Sequence, residues 1–330
     1  MSDTQPSFLE TACAPLNTEF ENNAEKVGQG EETSAVRSGR VTTNEEYKRI
    51  FLLLFLAQFW TLIMTFIPVV GDVQPKDYYD RKGWSYGGSD VMRFLEPVIS
   101  LPLNFVVFCY SGILMHYDIR DPLQESDKSF FIGLWFLAAA VCQQGAGFHS
   151  CSNMLKNAFE TLPIYTNGDD GTREFYYYIR TWWEHLVSHY MYAAGYAFMA
   201  ISCMFAYRHH AEPIDGGLSG ENKLYLLVSA ICYGMVTSGV AINFPAGSVV
   251  AIVYLLCYGI LFLLGYRYYL WKTTAIDASK RSQSGWFGFN LLERPVMDYF
   301  ILSYTVSLVI VLIWVAYVGS VWITRGDLEH

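Results

Sequence analysis

Residues 296–323 read VMDYFILSYTVSLVIVLIWVAYVGSVWI, a run whose only charged side chain is Asp298, near its start. A helix needs about 20 apolar residues to cross the hydrocarbon of a bilayer. This run exceeds that length, which makes lipid the solvent of at least this part of the chain. Working outward, six further runs qualify: 50–70, 94–115, 129–153, 178–207, 224–243 and 248–266. The fifth and sixth are joined only by Phe244-Pro245-Ala246-Gly247, which reads as a tight helical hairpin. The second is the least regular, interrupted by Glu96, Pro97, Pro102 and Asn104.

The spacing predicts an all-α, polytopic integral membrane protein, a seven-transmembrane-helix bundle over residues 48–325. Residues 326–330 form a short tail. Residues 1–47 are polar and strongly acidic, lack the apolar stretch of a secretory signal, and read as a disordered tail.

Composition agrees. The 330-residue chain is 52% hydrophobic and 16% charged, whereas a soluble domain averages about 25% charged. The net charge is −9, and no block of Lys/Arg is longer than two residues, so a basic nucleic-acid surface is excluded. Five of the seven cysteines (Cys109, Cys142, Cys203, Cys232, Cys257) fall in apolar runs and no CxxC occurs. That is neither a disulfide framework nor a thiolate metal site.

Basic residues orient the bundle. With seven spans, the N-terminal tail, with Lys48 and Arg49 before the first run, shares its side with connectors 116–128, 208–223 and 267–295, which places 14 of the 22 Lys/Arg there. The N-terminus is therefore expected to be cytoplasmic and the C-terminus lumenal or external. Connectors 71–93 and 154–180 share the opposite side. Both are rich in Tyr, Gly, Asp and Trp, and read as a cap or as interfacial loops carrying an aromatic belt.

Ionisable groups at membrane depth are costly, so each is a candidate for function. The third run ends Gly145-Ala146-Gly147-Phe148-His149, with Asn153 one turn further; the fourth begins Trp182-Trp183-Glu184-His185 and continues to Ser188 and His189. His149 and Asn153 share a helix face, as do His185 and His189, with Tyr192 and Tyr196 extending that stripe. Consecutive spans run antiparallel, so the end of the third meets the start of the fourth. At 1.5 Å per residue the three histidines lie within about 5–15 Å of their helix ends, and their imidazoles can reach one level. The second run enters from the same side with Glu96, Ser100 and Asn104 at i, i+4, i+8. The polar side chains of three spans are thus expected in the lumenal leaflet. His116 and the pair His209-His210 read as interfacial or solvated, and Gly145, Ala146 and Gly147 as permitting close helix packing.

Three histidines with an open fourth position are the usual donor set of a catalytic zinc, which lowers the pKa of bound water to about 7. Glu184 or Glu96 would be the general base or would orient a ligand histidine, and Ser100 or Asn153 would supply an oxyanion donor. Hydrolysis of a lipid amide or ester is the reaction class this suits, with a membrane lipid or other lipophilic small molecule as partner. A bland reading stands beside it: an interhelical hydrogen-bond network joining the spans.

The His-x-x-x-His with a distant third histidine resembles the zinc site of the alkaline ceramidase and progestin-receptor superfamily of seven-helix proteins. The resemblance is carried by His149, His185, His189 and Ser100 and implies zinc. It is one of site construction, because in that superfamily the His-x-x-x-His lies on the final span and here on the fourth. The Asp expected beside the metal has no clear counterpart, leaving its place to Glu184 or Glu96.

Other chemistries are weighed by counting. Di-iron hydroxylases and desaturases use eight or more clustered histidines, and the chain has seven. A retinal lysine is missing from 296–323. A b-type haem held by His149 with His185 or His189 stays open. So does a metal-free terpene cyclase or isomerase, in which Glu96 and Glu184 are Brønsted acids among Trp182, Trp183, Tyr190, Tyr192 and Tyr196. A non-enzymatic receptor or transporter with a polar ligand pocket is the third reading.

Overall fold

The computed structural model describes residues 43–70, 88–111, 123–161, 170–207, 217–242 and 295–323, with a few residues of 248–260. Among these, regular structure is entirely helical. Helix α1 spans Asn44–Val70. It starts earlier than its apolar run because Thr43 and Glu46 cap it reciprocally. The Thr43 N–H donates to Glu46 Oε2 at 2.9 Å, and the Glu46 N–H donates to Thr43 Oγ1 at 3.2 Å. Residues 44–47, read as tail, are thus helical, while 1–42 lie outside the described residues.

Helix α2, Gly88–Tyr110, carries Pro97 and Pro102 in its interior. It stops short of 115, in a turn where Ser111 Oγ donates to the Phe108 carbonyl at 2.6 Å; 112–115 lie outside the described residues. Helix α3, Leu123–Thr161, has 39 residues, about 58 Å at 1.5 Å per residue. It therefore projects beyond a hydrocarbon core of about 30 Å, and residues 154–161, expected in a connector, continue it. The fourth run is divided into α4 (Asp170–Tyr178), a π segment (Ile179–Val187) and α5 (Ser188–Ala206).

Helix α6 is Gly220–Ile242, capped where the Asn222 N–H donates to Ser219 Oγ at 3.2 Å. Helix α7, Pro295–Val318, begins with a proline, whose missing N–H costs nothing in the first turn. It ends at Gly319, which has φ +72° and bonds back to the Val315 carbonyl. The helix of 296–323 therefore ends five residues earlier than its apolarity suggests. The described residues of 248–260 are helical. Hairpin 244–247, residues 261–266, and the parts of the expected cap at 71–87 and 162–169 lie outside the described residues.

Among the described residues, four helices are long and apolar enough to cross a membrane: Asn44–Met64, Lys128–Leu155, Gly220–Ile242 and Pro295–Val318; Phe94–Tyr110 is a shorter apolar helix. Their burial says which solvent they face. The span of α7 has the highest mean hydropathy, 2.3, yet only 22% of it is buried within the protein. Leu137 and Ile313 are each 63% exposed. An exterior this apolar is stable against lipid and unstable against water. These helices mark an integral membrane protein. The fourth run falls outside that set because its polar stripe and the π segment break up the apolar helix.

Helix directions follow from contacts. Phe131 stacks on Phe205, Cys142 meets Gly195, and Gly145 meets Tyr192, so α3 and α5 are antiparallel. Thr61 bonds Glu96 while Gln58 bonds Asn104, making α1 and α2 antiparallel. Tyr196 bonds Glu96 and Tyr207 bonds the Val107 carbonyl, so α2 and α5 are parallel. The side chain and carbonyl of Asn44, at the start of α1, bond Gly217, Ser219 and Asn222 at the start of α6, which makes these two parallel. Each of these segments thus reverses the direction of the one before it, as successive crossings do.

Candidate functional site

The α3–α5 contact that builds the site depends on two glycines. A Cβ on Gly195 would lie 2.6 Å from the Cys142 backbone nitrogen, and one on Gly145 would lie 2.7 Å from that of Tyr192. The backbones are therefore as close as backbones pack. Gly147, expected to share this role, has open space around its Cα instead.

One turn beyond Gly145, His149 stacks on His189, with ring centroids 5.2 Å apart and planes 7° from parallel. His185 meets the same His189 ring edge-on at 5.4 Å. The structure thus brings His149 and His185 each against His189. Asn153, a turn further along α3, is buried.

His185 and His189 do not share one regular α-helix. His185 lies in the π segment and His189 in α5, and the junction is marked by the Ser188 N–H donating to the Trp183 carbonyl, five residues back. Each π turn takes up an extra residue, so a π segment re-aims side chains relative to α geometry, and such segments are frequent at functional sites. Here Glu184 is 3% exposed while its neighbours Trp182 and Trp183 remain exposed. Ser188 Oγ donates to the Glu184 carbonyl.

Two imidazoles bound to one tetrahedral ion, with Zn–N of 2.0–2.1 Å, have ring centres about 5 Å apart. Both measured separations are of that size, and three neutral imidazoles are a donor set zinc accepts. Among the described residues, however, no group of three or more His, Cys, Asp or Glu has its donor atoms gathered as in a metal site.

Glu96 lies elsewhere. It is buried, and its Oε1 accepts from Thr61 Oγ1 at 2.7 Å, Ser100 Oγ at 3.1 Å and Tyr196 OH at 3.1 Å. Asn104 Nδ2 donates to the Ser100 carbonyl at 2.8 Å, and Gln58 Nε2 reaches Asn104 Oδ1 at 3.5 Å. Tyr196 is seven residues beyond His189 on one face of α5, about 10 Å along the axis. Glu96 and Ser100 therefore form a second polar cluster, deeper along α5 than the histidines.

Two members of that cluster were not singled out from sequence: Gln58 and Thr61. Gln58 and Thr61 are polar residues three apart in a run with only Thr65 besides, and that spacing was their available signal. His116 and His209-His210 lie outside the described residues. Comparison of the chain with protein families, characterised proteins and solved structures gives no match.

Proposed function

We propose that the chain is a seven-span membrane enzyme that hydrolyses a lipid amide or ester at His149, His185 and His189, with zinc as cofactor. The three further crossings would be α2, the segment from Ile179 to Ala206, and the helical residues within 248–266. The distribution of Lys/Arg supports a cytoplasmic N-terminus and puts the histidines in the lumenal leaflet.

The observation that carries this reading is the placement of two imidazoles, from α3 and the π segment, against a third on α5 at the spacing of ligands to one ion. Bound there, zinc would supply a water acidic enough to ionise near neutral pH. The chain's own residues have separate tasks. The histidines hold the ion. Glu184, buried beside His185, accepts and returns the proton. Asn153 donates a hydrogen bond to the developing oxyanion. Ser100 takes no part in this reading, because its hydroxyl is committed to Glu96.

The test is elemental analysis of full-length protein purified in detergent with zinc present, together with turnover of a panel of lipid amides and esters. Wild type is expected to retain stoichiometric zinc and to hydrolyse one class of the panel, and His189→Ala to lose both. Absence of zinc from folded wild type overturns the reading.

A further inference from the structure

One face of α3 stays exposed along its crossing. Trp135, Ala138, Cys142, Gly145 and Ala146 are buried, whereas Gly133, Leu137, Ala140, Gln144, Gly147 and Cys151 are exposed, with Phe136 beside them. These six residues alternate steps of four and three, the heptad spacing of a helix–helix seam. Leu137, Gln144 and Cys151 share one heptad position. A Cβ on Gly133 or Gly147 would meet nothing within 4 Å, so another backbone has room to approach there. A wholly apolar face would be stable against lipid, but Gln144 is polar. It lies eleven residues inside the Leu155 end of the span Lys128–Leu155, about 16 Å from that end. That is near the middle of a hydrocarbon core of about 30 Å. The Gln144 amide is exposed and bonds no described residue. Acyl chains offer it no partner, and an unbonded amide in hydrocarbon is costly.

We propose that this face is the contact between two copies of the chain, with Gln144 bonded to Gln144 of the partner subunit. Depth and chemistry together favour a second copy. Copies inserted the same way are related by a twofold axis along the membrane normal, so their α3 helices run parallel. Residues of the seam then meet their own equivalents at one level. An amide carries donor and acceptor in one side chain, and so satisfies itself across such an axis. Side-chain amides bonded between helices are a recurrent means of association in lipid. Cys151, seven residues beyond Gln144 at the same heptad position, is a free, exposed thiol and would face Cys151 of the partner subunit. Neither zinc nor hydrolysis enters into this contact.

The test is energy transfer between donor- and acceptor-labelled copies of the full-length protein, reconstituted together in phosphatidylcholine liposomes. Transfer is expected to rise with the protein-to-lipid ratio and to saturate. Gln144→Leu should weaken association by about three- to thirtyfold, the range of a side-chain hydrogen bond between helices in lipid, and Gln144→Asn should keep most of it. A second measurement does not depend on that variant. In a Cys13→Ser background, oxidation with copper phenanthroline should join copies into a disulfide-linked dimer, and Cys151→Ser should abolish it. Monomers at every ratio, association of Gln144→Leu equal to wild type, or a disulfide dimer that survives Cys151→Ser overturns the proposal.

Discussion

His149 of α3 lies flat against His189 of α5, ring centroids 5.2 Å apart, and the same His189 ring meets His185 edge-on. This makes the three residues unequal. His189→Ala removes the ring common to both contacts, whereas His149→Ala or His185→Ala leaves one pair. Metal content and activity should therefore fall furthest in His189→Ala. The His149→Ala/His189→Ala double variant should be no worse than His189→Ala, because groups acting as a unit are not additive. Equal loss in all three single variants would overturn this ranking, and undiminished zinc in all three would count against a shared ion.

The closeness of α3 and α5 sets that stacking. Gly195→Ala would place a Cβ 2.6 Å from the Cys142 nitrogen, which is main chain and cannot turn aside. The helices must separate, at a cost of about 1–3 kcal/mol, and the histidine contact should loosen with them. Gly147→Ala meets nothing within 4 Å and should leave the melting temperature in detergent unchanged or slightly raised, since alanine favours helix. Similar melting of the two variants would mean that the close approach does not limit stability.

The apolar runs made most helices legible, because lipid demands long uninterrupted apolar stretches and 296–323 supplies one. Helix ends were less legible. Asn44–Val70 starts before its apolar run because the Thr43–Glu46 cap acts in water, where hydropathy carries no signal. Gly319 ends α7 inside a still apolar stretch through its positive φ. The π segment had no sequence mark at all, since an i→i+5 bond needs no particular residue type, and it decides how His185 and Glu184 face. Antiparallel succession of spans was enough to expect His149 near His189. Glu96 was expected beside the histidines, because entry from one side gives a shared leaflet but not the level within it; Tyr196 engages it further along α5.

Asn44 and Lys48 make opposite predictions from neighbouring positions. The Asn44 side chain joins α1 to α6 through part-buried bonds to Gly217, Ser219 and Asn222. Losing them should destabilise Asn44→Ala by about 1–3 kcal/mol, since several partners are left unsatisfied. The Lys48–Glu221 pair is 2.9 Å long but joins side chains 38% and 53% exposed. Exposed pairs contribute little and are screened by salt, so Lys48→Met should melt like wild type at physiological salt. Unfolding of both variants by urea in the same detergent compares them directly.

Thr61 and Glu96 are bonded at 2.7 Å in the bundle interior, and the worth of that bond can be isolated from the rest of the cluster. Thr61→Val keeps the shape of the side chain and removes one of the donors on Oε1. The carboxylate then loses a buried partner, and the variant should be destabilised by about 1–3 kcal/mol. Glu96→Gln keeps an acceptor oxygen and removes the charge, so the same Thr61→Val change should cost less in that background. A double-mutant cycle on unfolding free energies should therefore give a coupling between these sites of about 0.5–3 kcal/mol. Thr61→Val against Val98→Ala, an exposed position on the same α2 helix, should show none. Coupling of equal size in both cycles would mean that α1 and α2 respond as a rigid pair and that the carboxylate has no special hold on the Thr61 hydroxyl.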